Sequence, residues 1–118
     1  MRERTSAALC NRFAAAVAAQ DSCIWQGDSR AGNRHARIYI AAARELLKRG
    51  EEAIEEFTGL LEHSSDSVRV AAAAYLLRHR TDRAVSTLRP IARKKRGIAA
   101  LGARETLKRY ERGELDIR

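Results

Sequence analysis

The chain holds little that fixes structure by special means: two cysteines, one proline, seven glycines and six aromatic residues among 118. Two cysteines cannot build the disulfide framework of a small secreted scaffold, and no Cys-x-x-Cys or helically spaced His pair offers the clustered ligands a metal needs. With one proline and few glycines there are few places to break a helix, and no alternating Val/Ile/Thr stretch marks a strand. The longest apolar runs, Phe13 to Ala19 and Val70 to Leu77, hold seven and eight residues, short of the ~20 that cross a bilayer. With so few rings, the 22 alanines predict a core made by close approach of helices rather than by bulky side chains.

What is present reads as helix throughout. A chain of this length is expected to form one domain, 1–118, able to bury roughly two thirds of its unfolded surface without staples. The clearest element opens at Asp66, whose carboxylate suits the unpaired amides and positive dipole end of a helix start. Val68, Ala72, Leu76 and His79 then follow at steps of four, four and three, with Ala73 and Leu77 beside them, so one face is predicted to be buried. Arg69 and Arg78 lie where a long stem can cover the core while the charge stays wet.

Slid by thirty-one residues, the pattern returns. Ala53 falls on Ala84, Ile54 on Val85, Phe57 on Leu88, Leu60 on Ile91, Leu61 on Ala92, Val68 on Ala99, Ala72 on Ala103 and Leu76 on Leu107. Agreement across two helices and the turn between them is the mark of a solenoid repeat. The predicted organisation is a long N-terminal hairpin, about 5–49, a first pair at 51–79 and a second at 82–112.

Leu60-Leu61, a short polar turn and Asp66-x-Val68-Arg69-x-x-Ala72-Ala73-x-x-Leu76 resemble the second half of a HEAT-type repeat. The second copy lacks the acidic cap and the Val-Arg, but Leu88-Arg89-Pro90-Ile91 is similar to the proline-bearing first helix of such pairs. More of the chain resembles a bacterial family known only as a domain of unknown function, number two thousand and nineteen in its series. The likeness is carried by Phe13, Gln20, Gly27-Asp28, Asn33-Arg34, Glu45-Leu46, Arg49-Gly50, Leu60-Leu61, Val68-Arg69, Ala72-Ala73, Ile91-Ala92 and Tyr110-x-x-Gly113-Glu114-Leu115. The resemblance implies an all-α fold, a short right-handed α-α superhelix of about six HEAT-like helices. It assigns no active site.

Charge is distributed unevenly. Of 23 Lys and Arg, 12 lie after His79 against 5 acids, whereas residues 1–79 carry 11 against 10. A basic surface can meet nucleic acid, an anionic membrane or an acidic protein, and Arg-rich helices are also simply soluble. Met1-Arg2-Glu3-Arg4 is followed by no long apolar segment, and the faint lipoprotein box before Cys10 lacks its apolar lead, so a cytoplasmic location is expected.

In chain order, Leu9, Phe13, Val17, Gln20 and Ile24 form the predicted buried stripe of a first helix over 5–25. Cys10 and Cys23, thirteen residues apart on it, are roughly 20 Å apart and are expected to be free thiols. Gly27-Asp28 is a turn with Asp28 as the next cap. The run through Asn33-Arg34 has the spacing of a phosphate loop but neither its lysine nor its hydroxyl, and no strand precedes it. The second helix, with Ile38, Ala42 and Leu46 on one side and Tyr39, Ala43 and Leu47 flanking, ends at Gly50. Glu51, Glu52, Glu55 and Glu56 open the third, where acids suit the dipole; they also form an acidic knob. Gly59 inside that helix suggests tight packing. Thr81-Asp82 is the expected cap of the fifth helix, which Pro90 should kink.

Arg93-Lys94-Lys95-Arg96 closes that helix with positive charge. Arg104, Lys108 and Arg112, repeating at four on the last helix, extend a basic surface to which Arg69 is added as a candidate binding residue. Only Tyr110 supplies a ring nearby, where single-strand binders interleave several. His35, His63 and His79 are scattered, with no Ser or Cys partner in a local motif, and the exposed glutamates imply no pocket that would raise a pKa. The chain is therefore read as no enzyme, with no cofactor and no metal. The leading expectation is a non-catalytic protein-interaction module, adaptor or immunity-like, in a bacterial cytoplasm, with no membrane partner. The alternative is a nucleic-acid-binding domain using the basic C-terminal third. A homodimer pairing Glu51–Glu56 with that basic third is a further expectation.

Overall fold

An alanine-rich chain with few breakers has helix as its default, and its glycines and polar caps then decide where each helix stops. The computed structural model describes residues 4–113; Met1 to Glu3, and the Glu114-Leu115 end of the family pattern, lie outside the described residues. Those described form six α-helices and a 3-10 turn, with no strand among them. The fold is all-α. Two compact units divide the chain, Met1–Leu60 and Leu61–Arg118.

In the first unit, α1 (Ser6–Gln26) starts at Thr5, whose hydroxyl accepts the Ala8 amide at 3.0 Å. It ends at Gly27, where φ is +74° and the amide of Asp28 closes on the Cys23 carbonyl. Only a residue without Cβ adopts that turn cheaply. As the sequence predicts, Asp28 caps α2 (Ser29–Arg49) by accepting the Ala31 amide, and Gly50 ends it. The two helices run antiparallel: Tyr39 donates to Gln20 at 3.2 Å, and Arg49 reaches Ser6. Helix α3 (Glu51–Thr58) completes the unit. Phe13 is the hub, fully buried, with Tyr39 edge-on at 5.6 Å and Phe57 edge-on at 5.0 Å. Edge-to-face pairs of this kind add about 1 kcal/mol beyond area burial.

One member of the predicted stripe departs from it. Ile24 is in phase with Phe13 and Val17 but 50% exposed, because it sits in the last turn of α1, where α2 has only just begun to cover its neighbour. Gly59 also corrects an expectation. It caps α3 where the chain tightens into the 3-10 turn Gly59–Glu62, it is exposed, and a Cβ added there would meet nothing within 4 Å. Tight packing is not its reason.

In the second unit, α4 (Asp66–Leu76) is capped by Ser65, whose hydroxyl accepts the Val68 amide, and Asp66 is instead the first helical residue. Its charge still lies at the positive helix end. Val68, Ala72, Ala73 and Leu76 are buried as expected, but His79 is exposed, because the helix stops at Leu76 and its period stops with it. Helix α5 (Thr81–Ala92) begins after Arg80 without a side-chain cap; Thr81 turns back and donates to the Leu77 carbonyl at 2.6 Å. Pro90 falls in its last turn, on the exposed side. Gly97, at φ +109°, leads into α6 (Ile98–Glu111). The core here is aliphatic: Val68, Leu76, Leu88 and Ile91 are at most 2% exposed, with Ala84, Ala100 and Ala103 filling between.

Helix boundaries keep the thirty-one-residue offset within a residue or so: α3 with its 3-10 turn covers 51–62 and α5 covers 81–92, while α4 opens at 66 and α6 at 98. Every matched apolar pair is buried or half-buried. Of the two expected pairs, 82–112 lies wholly in the second unit, whereas 51–79 has α3 in the first and α4 in the second.

Candidate functional site

The eight basic candidates all lie in the second unit. Three of them meet. Asp66, at the start of α4, holds Arg69 one turn along its own helix and, from the far end of α5, the Lys94 ammonium at 2.5 Å. Hydrogen bonds from Lys94 and then Arg69 hold the Asp66 carboxyl below the usual carboxylate range. Arg104 on α6 donates to the carbonyls of Ala92 and Lys94 at 3.0 and 2.9 Å, so its guanidinium closes the unpaired end of α5. That is where a cation best meets a helix dipole.

These three are therefore engaged inside the unit. Arg69 lays its stem on the core, and its Nε is buried with no hydrogen-bond partner among the described residues. Arg93, Lys95 and Arg96 are exposed on the α5–α6 connection. Lys108 on α6 and Arg112 at its C-terminal cap are exposed, one and two turns beyond Arg104, and Lys108 shares the outer stripe of Arg104 with Leu101, which is 63% exposed. The structure thus unites Arg69, Lys94 and Arg104 through Asp66 and one helix end, and leaves Lys95 and Arg96 open to solvent.

A second surface, which the sequence did not reveal, lies in the first unit. Between α1 and α2 runs an open groove of about 550 Å³, floored by Leu9, Ile38, Ala41 and Ala42. Arg4 and Arg12 edge it on one side, Arg34 and Arg37 on the other. It continues along the same helices past Ala15, Ala16 and Ala19, sharing Arg12 and Ile38 with the first stretch. None of the four arginines makes an ion pair or side-chain hydrogen bond with a described residue. Four guanidinium groups that pair with no described residue, set around apolar methyls, are what an acidic, amphipathic ligand would need.

The remaining chemistry-bearing residues have structural surroundings. Cys10 and Cys23 are both free thiols; burial, and then the nearby Glu56 carboxylate, push the Cys10 thiol up to about 11. Burial also raises the Tyr39 hydroxyl, against the hydrogen bond to Gln20. Among the described residues no three His, Cys, Asp or Glu side chains gather as a metal site would require, and no helix is long and apolar enough to cross a membrane. Asn33 and Arg34 lie on the opening turns of α2, and the acidic Glu51, Glu52, Glu55 and Glu56 are exposed on α3.

No protein-family model matches the chain, and no curated protein matches it. Its structure is similar to the crystal structure of the protein RPA1889 from Rhodopseudomonas palustris CGA009, with a TM-score of 0.89 over 98% of this chain and 96% of that one. The two sequences are 23% identical. At that identity the likeness shows the fold alone: an all-helical architecture shared with a bacterial protein.

Proposed function

We propose that the chain is a non-catalytic protein-interaction module, of the adaptor or immunity kind, working in a bacterial cytoplasm, with the HEAT-like α-α superhelix of the resembled family as its architecture. The observation that supports this reading is the α1–α2 groove, whose apolar floor and unpaired arginine edges present a ready surface for a protein ligand. Its test is capture of a partner at several salt concentrations, using the wild type and a bait with Ala15→Gln and Ala41→Gln, two exposed positions along the groove. A protein held by the wild type at moderate salt supports the reading; none held at any salt removes it.

A second reading, nucleic-acid binding by the second unit, is favoured by one observation: Arg93, Lys95 and Arg96 are exposed and make no ion pair with a described residue. Phosphate contacts would make such binding fall steeply with salt. A labelled duplex or single strand that fails to bind at about 50 mM salt ends it.

A further inference from the structure

We infer that the α1–α2 groove of the first unit is a docking site for an acidic amphipathic helix of a partner protein, one whose apolar stripe is flanked by carboxylates on both sides. This rests on the reading of the chain as a protein-interaction module and names the chemistry of its partner.

Shape comes first. The floor is mostly alanine, with Ala15, Ala16 and Ala19 on α1 and Ala41 and Ala42 on α2. Methyl groups let a third helix approach two others closely, and a shallow trough between antiparallel helices accepts the ridge of a third. From Leu9 to Ala19 the groove follows ten residues of α1, about 15 Å at 1.5 Å per residue. That is three turns of an occupant, which would present apolar residues at positions i, i+3 or i+4, and i+7.

Charge fixes the occupant's sign and its arrangement. Arg4 and Arg12 stand on the α1 side and Arg34 and Arg37 on the α2 side, with no carboxylate among the described residues that line the groove in either stretch. A helix lying between them therefore needs acids along both edges of its apolar stripe. Each guanidinium can then form a forked, charge-assisted pair as the interface sheds water.

Other occupants fit less well. An alkyl chain needs enclosure of most of its surface, and this trough is open to solvent along its length. Nucleic acid would use the arginines but leave Leu9, Ile38 and the alanines unmatched, and the half-buried His35 is the single ring among the described residues lining either stretch, where single-strand binders interleave several. A second copy would have to supply its own acidic helix, α3. That helix already buries Ala53, Ile54 and Phe57 in its own unit and leaves only glutamates exposed.

The test uses the full chain and a fluorescein-labelled synthetic helical peptide of about four turns, with leucines at three- and four-residue spacing and glutamates on both flanks. Of two controls, one keeps its composition with the stripe scrambled, and the other has lysine in place of glutamate. The acidic amphipathic peptide is expected to bind at moderate salt. The scrambled peptide should bind at least about tenfold more weakly and the lysine peptide not at all, a tenfold change being about 1.4 kcal/mol. Arg12→Glu with Arg37→Glu, and separately Ala15→Gln with Ala41→Gln, should each weaken binding at least about tenfold. Circular dichroism checks that the variants fold.

Equal binding of the scrambled peptide, unchanged binding by the Ala15→Gln/Ala41→Gln variant, or no binding of the acidic peptide overturns the proposal. So does binding of anionic phospholipid vesicles through the same residues, or a dimer that the same substitutions dissolve. A partner captured equally well by wild type and groove variant leaves the protein-interaction reading standing while this site falls. Capture of nothing together with peptide failure removes both.

Discussion

The two units reach a buried core by different means. The first turns on rings: Phe13 meets Tyr39 and Phe57 edge-on, and both phenylalanines of the chain are there. The second buries Val68, Leu76, Leu88 and Ile91 among alanines, and its aromatics, Tyr75 and Tyr110, are half-buried and exposed. Charge divides in the same place. Residues 61–118 carry 14 Lys and Arg against 7 acids, and residues 1–60 carry 9 against 8. Yet the unit with the larger net charge spends part of it internally, on Asp66 and the end of α5, while the nearly neutral unit has four arginines beside an apolar groove that pair with no described residue. Net charge therefore does not tell which cations are free of internal partners; the structure does.

Deleting the ring at the hub should produce the largest effect. Phe13→Ala is expected to cost about 4 kcal/mol, and Leu88→Ala in the aliphatic core about 3 kcal/mol, both read from urea unfolding. A Phe13 cost no larger than that of Leu88 would mean the rings add nothing that aliphatic packing lacks. The thiol on the same helix comes next. With Cys10 pushed up to about 11 and buried, its alkylation by iodoacetamide at pH 8 should be on the order of 100-fold slower than in the denatured chain. Mass spectrometry should find Cys23 labelled first.

In the second unit, Asp66→Ala removes the carboxylate that Lys94 and Arg69 share. Because Lys94 is more than half exposed, solvent screening holds the expected loss to about 1 kcal/mol, and added salt should shrink it. The folded-state pKa of Asp66 is lowered, so its stabilisation is complete above the ordinary carboxylate range and disappears as pH falls through the folded value. Asp66→Ala should therefore matter at pH 7 and cease to matter in strong acid. Gly59→Ala has the smallest expected effect and the opposite sign. With φ −57° and open space where the Cβ would stand, it should stabilise by about 0.5–1 kcal/mol, and destabilisation would reinstate tight packing at that point.

The fold was legible wherever a residue type marks its position unambiguously. Asp28 as a cap, Gly27 and Gly50 as stops, and the stripes through Phe13 and Val68 all follow from local chemistry. Ser65, Asp66, Thr81 and Asp82 show where that legibility blurs, since adjacent Ser, Thr and Asp residues compete for one cap and the geometry of the preceding turn decides. The expectation of a core without bulky rings described the second unit and missed the first, because few rings suffice when Phe57 and Tyr39 both pack edge-on against Phe13. The groove was hidden for a related reason. In the run Ala14 to Ala19, alanine occupies both faces of α1, with Ala16 buried and Ala15 and Ala18 exposed. A residue so neutral in hydrophobicity does not announce which face it turns outward. Arg12 is far in sequence from Arg34 and Arg37, and only the pairing of α1 with α2 brings the three to one groove.

The most direct test of where this protein binds is a titration of the nitrogen-15-labelled chain with the acidic amphipathic peptide, followed by amide chemical shifts. Movement concentrated in residues 9–19 and 34–42, which carry the groove, is the expected result. Movement confined to residues 93–96 and 104–112 of the second unit would contradict it and return the binding surface to the basic cluster.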